Sequence, residues 1–204
     1  MQNYTIPRIK NSIAAEIFSF LHFFDITRGI YSDFYRTFAA IMKQPPILPT
    51  IIGTGFGAGF WPWGPGTMGA IAATLIWFVM GHVLTTNMLT IATFSLIVLM
   101  TLLGIWATKR LQPYWGDDPS NVVIDEMVGV WIPLLLADDP QMRVWWALIA
   151  LLLFRLFDIL KPLGIKALDN RKGAIWVMLD DILAGLYAAI ILGIIIIIYH
   201  GATT

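Results

Sequence analysis

Long apolar runs dominate the chain, and short polar segments separate them. The runs include Gly69–Leu84, Met88–Ala107, Val144–Leu153 and Ile182–Tyr199. A helix of about 20 apolar residues crosses roughly 30 Å of hydrocarbon, whereas shorter runs also suit a buried core helix. The pattern predicts an all-α, multi-pass membrane protein. We place about five membrane-embedded helices, at 67–86, 88–108, 123–137, 143–160 and 179–200.

Composition supports this class of protein. Hydrophobic residues make up 58% of the chain and charged residues only 13%, against roughly 25% charged residues in a soluble domain. The third predicted helix is the exception, because it is short and begins with Asp125 and Glu126. Charged groups are costly against lipid, so we expect this segment to lie in a protein-lined cleft.

Residues 1–46 form an N-terminal extension ahead of a membrane-embedded domain, residues 47–204. Three prolines in Gln44–Pro49 mark the boundary. Within the extension, Ile13–Ile26 is apolar and aromatic and is flanked by basic positions. This pattern favours an interfacial helix on the cytoplasmic leaflet, and a helix packed on the membrane domain explains it equally well.

Basic residues predict the orientation of the helices. They precede the first predicted helix, follow the second at Lys109 and Arg110, and follow the fourth between residues 161 and 172. On the other side only Arg143 is basic. Positive charge favours the cytoplasm, so the N-terminus is expected there and the C-terminus outside. The polar motifs then gather at cytoplasmic helix ends.

Five carboxylates lie at three neighbouring helix ends. A single acid there is often a helix cap or a dipole-stabilising charge, which remains an even alternative for Asp180. Five together would raise one another's pKa unless a cation sat among them. The chain has no cysteine, and oxygen ligands suit Mg²⁺. The predicted metal ligands are Asp125, Glu126, Asp158, Asp180 and Asp181.

A glycine-rich segment, Gly53–Gly69, precedes the first predicted helix. Glycines let backbone N–H groups approach an anion at a helix N-terminus, although they also serve close helix packing. Arg155 and Lys161 flank Asp158 at spacings of three, where they could bind phosphate, pair with the acids or reach lipid headgroups. The candidate phosphate-binding residues are Thr54, Gly55, Gly66, Thr67, Arg155 and Lys161.

Four motifs together resemble the phosphatidylglycerophosphatase A family. They are Pro65–Gly69, Val123–Gly129, Phe154–Pro162 and Asp180–Gly185. The resemblance implies a Mg²⁺-dependent enzyme of the bacterial inner membrane. It would release the terminal phosphate of phosphatidylglycerophosphate and leave phosphatidylglycerol, a step of glycerophospholipid biosynthesis. Phe60-Trp61 and the residues after Pro162 depart from the family's usual pattern, which affects expected headgroup and lipid contacts more than the acidic core.

The resulting hypothesis is metal-assisted hydrolysis of a phosphate monoester by water, with attack by an enzyme carboxylate ranked second. The expected catalytic residues are Asp125, Glu126, Asp158 and Asp181. Two other classes stay open: an ion-coupled transporter, which would place carboxylates near the bilayer midplane, and a non-catalytic membrane subunit. A formal net charge of zero gives no support for nucleic-acid binding. The oligomeric state stays open.

Overall fold

The computed structural model describes residues 44–162 and 164–203, and this part of the chain is helical with no strand. A short 3₁₀ turn, Ala58–Phe60, lies between the first two α-helices. The predicted extension, residues 1–46 with its interfacial helix, falls almost wholly outside the described residues. The α-helices are Ile47–Gly53 (α1), Pro65–Val83 (α2), Thr86–Trp115 (α3), Ile124–Leu134 (α4), Arg143–Leu160 (α5), Ile165–Asp169 (α6) and Ala174–Thr203 (α7).

Each of the five predicted membrane helices forms, as α2, α3, α4, α5 and α7. Among the described helices, α2, α3 and α7 are long and apolar enough to cross a membrane. Their outward faces carry large apolar side chains such as Val79, Leu102 and Ile197, which are 64%, 63% and 73% exposed. Apolar faces of this extent are unfavourable in water and suit contact with lipid chains. The chain is a helical membrane protein.

Helix α4 is too short to cross the bilayer. Its 11 residues rise about 16 Å, roughly half of the hydrocarbon thickness. It packs against α2, α3, α5 and α7, and only Glu126 and Ile132 among its residues are not fully buried. As expected from its two acids, neighbouring protein surrounds this segment.

Close packing fixes α4 within the bundle. A side chain at Gly129 would strike the ring of Phe154 on α5, and one at Gly185 on α7 would strike the carbonyl of Gly129. Small residues therefore permit the backbones of α4 and α7 to approach each other. On the opposite side, the indole Nε1 of Trp131 donates a hydrogen bond of 3.0 Å to the carbonyl of Ala73 on α2. These contacts hold the middle of α4 in place.

Candidate active site

The predicted polar motifs meet at one end of the helix bundle. Asp125 and Glu126 occupy the first turn of α4, and Asp158 lies in the last turn of α5. Asp180 and Asp181 lie in the second turn of α7. Since α4 and α7 begin where α5 ends, all five carboxylates come to the same region.

Three of these carboxylates form a tight cluster. Asp125, Glu126 and Asp181 each place one oxygen so that the three atoms lie within 4.8 Å of one another. Asp125 and Asp181 are buried, and Glu126 Oε2 is a buried atom with no hydrogen-bond partner among the described residues. Buried like charges are costly unless a cation compensates them. The all-oxygen donor set therefore fits Mg²⁺, which accepts carboxylates together with water.

The other two carboxylates each bind a basic side chain. Asp158, which lies beside Asp181, forms an ion pair with Arg155 at 2.5 Å. Asp180 Oδ2 accepts a hydrogen bond of 2.9 Å from Lys161 Nζ. Of the five predicted metal ligands, three therefore form the compact group. Asp158 and Asp180 border it.

The beginning of α2 lies against this cluster. A side chain at Gly66 would strike the carboxylate of Glu126 and would also lie close to Nη1 of Arg155. Gly64 caps the helix without a side-chain hydrogen bond, and the first N–H groups of an α-helix have no partner within the helix. Gly66 therefore brings the start of α2 to the edge of the carboxylate cluster, and Thr67 follows it in the same turn, as an anion-binding helix N-terminus requires.

Thr54 and Gly55 form hydrogen bonds within the turn after α1. The hydroxyl of Thr54 donates to the carbonyl of Thr50 at 2.7 Å and accepts from the N–H of Gly57 at 3.1 Å. The N–H of Gly55 donates to the carbonyl of Ile52. These groups stabilise the turn after α1, and their donors are used locally. Among the glycines of this segment, Gly66 is the one at which a Cβ would meet a carboxylate.

Arg155 and Lys161 also differ. Lys161 Nζ contacts the carboxylates of both Asp169 and Asp180. Partial burial lowers the pKa of Lys161, but these two hydrogen bonds outweigh it and raise the pKa above its ordinary value. Arg155, in contrast, has a buried Nε with no partner among the described residues. Both cations pair with acids, one of the alternatives that the sequence left open. Arg155, which also lies beside Gly66 and Glu126, is the one at the three-carboxylate cluster.

Asp169 was not identified from the sequence. It ends the short helix α6, eight residues after Lys161, and joins α6 to α7 through that lysine. The signal for it was weak, because an exposed acid in a polar segment is usually solvated. The sequence offered only its position, eight residues after Lys161 in the polar segment between two predicted membrane helices.

Comparison with known proteins covers the region that contains this cluster. The family model for phosphatidylglycerophosphatase A matches residues 51–196. A Haemophilus influenzae protein named phosphatidylglycerophosphatase A is 36% identical over 143 residues, which cover 69% of this chain and 84% of that protein. The Escherichia coli protein of the same name is 33% identical over 153 residues, covering 74% and 83%. No solved structure matches.

A relative with a different name is more similar in sequence. A Bacteroides thetaiotaomicron protein named "Putative phosphatidylinositol-3-phosphatase" is 50% identical over 153 residues, which cover 75% of this chain and 96% of that protein. Both names describe enzymes that remove phosphate from a lipid. Together with the membrane helices and the buried carboxylates, these matches define a membrane-embedded lipid phosphatase. This excludes the transporter and the non-catalytic subunit.

The matched residues include all four motifs on which the resemblance rested. The family model extends from α1 into α7 and therefore covers Asp125, Glu126 and Asp181, the three residues of the carboxylate cluster. The chain belongs to the phosphatidylglycerophosphatase A family.

Proposed function

We propose that the protein hydrolyses phosphatidylglycerophosphate to phosphatidylglycerol and phosphate, and that it requires Mg²⁺ held by Asp125, Glu126 and Asp181. The observation that carries the proposal is the group of three carboxylate oxygens within 4.8 Å of one another, beside Arg155 and the start of α2. Hydrolysis of a phosphate monoester uses acidic side chains that hold a metal ion, a cationic side chain and N–H donors that bind the phosphate oxygens. The family's name supplies the lipid.

The side chains around the cluster have separable roles in this proposal. A Mg²⁺ ion, when bound, would neutralise phosphate charge and lower the pKa of a bound water. Arg155 and the N–H groups of Gly66 and Thr67 bind the phosphate oxygens. Asp158 orients Arg155 through their ion pair. A carboxylate oxygen that is free of metal accepts a proton from the attacking water, and burial keeps other water away.

The proposed location is the cytoplasmic face of a bacterial inner membrane, where the enzyme would complete phosphatidylglycerol synthesis. The charge distribution supports this orientation. Lys161 and Lys172 lie at the end of the bundle that holds the carboxylates, whereas Arg143 begins α5 at the other end. An excess of basic residues favours the cytoplasmic side. A headgroup in that leaflet would reach the cluster without crossing the bilayer.

A second candidate substrate is phosphatidylinositol 3-phosphate, which the name of the relative with 50% identity favours. Both lipids carry a phosphate monoester on a hydroxylated headgroup. The same cluster could serve either substrate, since the contacts proposed for it are to phosphate and not to the polyol.

The test is release of phosphate from each lipid by the full-length protein purified in detergent. Each lipid is assayed with Mg²⁺ and with EDTA, and the wild type is compared with Asp125→Asn. The matched control is Asp138→Asn, which changes an exposed acid in the loop after α4. Release that needs Mg²⁺ and Asp125 and is faster from phosphatidylglycerophosphate supports the proposal. Faster release from the inositol lipid favours the second candidate, and release unaffected by EDTA contradicts the metal requirement.

A further inference from the structure

Four large aromatic side chains project from the segment between α1 and α2. Phe56, Phe60, Trp61 and Trp63, here named the aromatic loop, are 71%, 57%, 50% and 85% exposed. Single exposed apolar residues are ordinary, whereas several together mark a surface that contacts a partner or a membrane. The mechanism proposed above uses none of these four residues.

The exposure of these rings is built into the turn that carries them. A Cβ at Gly55 would strike Met127 of α4, and one at Gly59 would strike the carbonyl of Asn121 just before α4. Phe56 adopts a φ of 57°, a left-handed conformation that a bulky side chain rarely adopts and that persists only where the surrounding structure imposes it. The packing of the two glycines against α4 thus holds the aromatic side chains on the outer surface.

The lengths of α2 and α3 give the depth of this surface in the membrane. The 19 residues of α2 rise about 28 Å, close to the hydrocarbon thickness of about 30 Å, whereas the 30 residues of α3 rise about 45 Å. A short turn joins the end of α2 to the start of α3, so the extra length lies in the final turns of α3. Those turns extend past the hydrocarbon into the headgroup region, where the exposed Lys109 is favourable.

The aromatic loop lies against these final turns. A Cβ at Gly53, the last residue of α1, would strike Leu111 of α3. The ring of Phe60 meets the ring of Trp115 edge-on, with 6.3 Å between their centroids. The aromatic loop is therefore at the level of the lipid headgroups, at the end of the bundle that holds the carboxylates.

The chemistry of this surface favours lipid as its partner. Residues 44–108 contain no Asp, Glu, Lys or Arg, so the segment offers a partner protein no ion pair. Helix α1 extends the surface with exposed Ile47, Leu48 and Ile51, and the chain passes from the aromatic loop directly into α2, whose outer face suits lipid chains. Tryptophan combines an apolar ring with one N–H donor and is enriched where a membrane meets water.

The aromatic loop also borders the active site. Trp63 precedes Gly66 by three residues, and three residues of extended chain span at most about 11 Å. A Cβ at Gly66 would strike the carboxylate of Glu126. A loop that is fixed in the interface therefore also fixes the depth of the start of α2 and of the carboxylate beside it.

We propose that the aromatic loop inserts into the boundary between headgroups and acyl chains in the leaflet that the active site faces, and that it holds the start of α2 at the depth of the lipid phosphates. Its rings contact the glycerol and upper acyl parts of the surrounding lipids. The inference rests on the proposed function in one respect, because it takes the carboxylate cluster as the place where the lipid phosphate reacts.

The first experiment measures the depth of the aromatic loop in vesicles of phosphatidylcholine and phosphatidylglycerol. The chain has no cysteine, so a nitroxide on full-length Trp63→Cys is a unique label. Electron paramagnetic resonance compares its collisions with oxygen, which concentrates in hydrocarbon, and with a water-soluble nickel chelate. The controls are Leu102→Cys on the exposed apolar face of α3 and Asp138→Cys in the exposed loop after α4.

We expect the label at Trp63 to collide more with oxygen than with the chelate and to lie within about 5–10 Å of the boundary, as interfacial side chains do. Collision with the chelate equal to that at Asp138→Cys would place the loop in water and overturn the inference. Low collision with both reagents would also overturn it, because protein, either residues 1–46 or a second copy of the chain, would then cover the loop.

The second experiment measures the consequence for catalysis. Trp63→Ser and the matched control Trp145→Ser, which changes a ring 61% exposed at the start of α5, are assayed with phosphatidylglycerophosphate in phosphatidylcholine vesicles. Loss of the apolar contact of one partly inserted ring corresponds to about a tenfold change in affinity. We expect Trp63→Ser to raise KM about tenfold with kcat unchanged, and Trp145→Ser to change neither.

The two experiments separate this inference from the proposed function. A fall in kcat with KM unchanged in Trp63→Ser would show that the loop acts on the catalytic groups and not on lipid, which overturns the inference. A label at Trp63 that lies in the interface of a protein that releases phosphate from no lipid would refute the proposed function and leave the insertion of the aromatic loop standing.

Discussion

Substitution of Gly66 by alanine tests the proposed site with a single methyl group. The new Cβ would strike the carboxylate of Glu126 and lie 3.3 Å from Nη1 of Arg155. Ordinary carbon contacts require about 3.5–4.0 Å, so the Glu126 carboxylate has to retreat by about an ångström or more. The change therefore displaces one member of the three-carboxylate cluster and presses on the cation beside it.

The expected effect on catalysis is large and the effect on folding is small. A misplacement of about 1 Å near reacting groups costs on the order of a hundredfold in rate. Overpacking costs about 1–3 kcal/mol of stability, and the better helix propensity of alanine offsets up to about 1 kcal/mol of this. We expect kcat for phosphate release to fall about a hundredfold while the protein remains folded in detergent.

Two further variants make the experiment decisive. Gly193→Ala is the matched control, because its Cβ would meet only Leu136 Cδ1 at an ordinary 3.6 Å. Combining Gly66→Ala with Glu126→Asp shortens the displaced side chain and should give less than the product of the two single losses, as coupled neighbours do. If Gly66→Ala retains the activity of Gly193→Ala, Gly66 does not lie against the catalytic carboxylate and the site is wrong.

Three further predictions test the remaining contacts and the order of bond formation. Lys161→Met should lower the free energy of unfolding by about 2 kcal/mol, because buried Asp180 loses its basic partner. Lys166→Met, at an exposed position, should leave this free energy unchanged, and unfolding in mixed micelles measures both variants. Asp125→Asn should raise the half-activating Mg²⁺ concentration by more than about tenfold, with Asp138→Asn unchanged, in a titration of phosphate release. Hydrolysis of a substrate whose phosphate is made chiral with oxygen isotopes should invert the configuration at phosphorus, as one direct attack by water does. Retention of configuration would establish attack by an enzyme carboxylate followed by water.

The helices and the meeting of the acids were predictable from the sequence because both depend on local pattern. Apolar runs fix where helices form, and the distribution of basic residues places Asp125, Asp158 and Asp180 at the same end of the bundle. Order along the chain was enough for this prediction. Distances between atoms were not needed.

The division of the acids into three and two could not be predicted in the same way. It depends on how closely α4 approaches α7 at Gly129 and Gly185, and on which way each side chain leaves its helix. The pairing of Lys161 with Asp169 depends on the chain reversal between α5 and α6. The engagement of Thr54 in its own turn likewise follows from backbone geometry, because its hydroxyl is bonded to Thr50 and Gly57.

The shortness of α4 has a consequence for how the protein is made. A helix that is too short to cross the bilayer cannot insert into it as an independent span. Helix α4 therefore has to pack against helices that are already inserted. Two of the clustered acids lie on α4, and the third, Asp181, lies on α7, the last of the described helices. During synthesis the cluster is therefore completed only after α7 has emerged and packed. A chain terminated before α7 would contain Asp125 and Glu126 but would lack Asp181, so its carboxylate cluster would be incomplete.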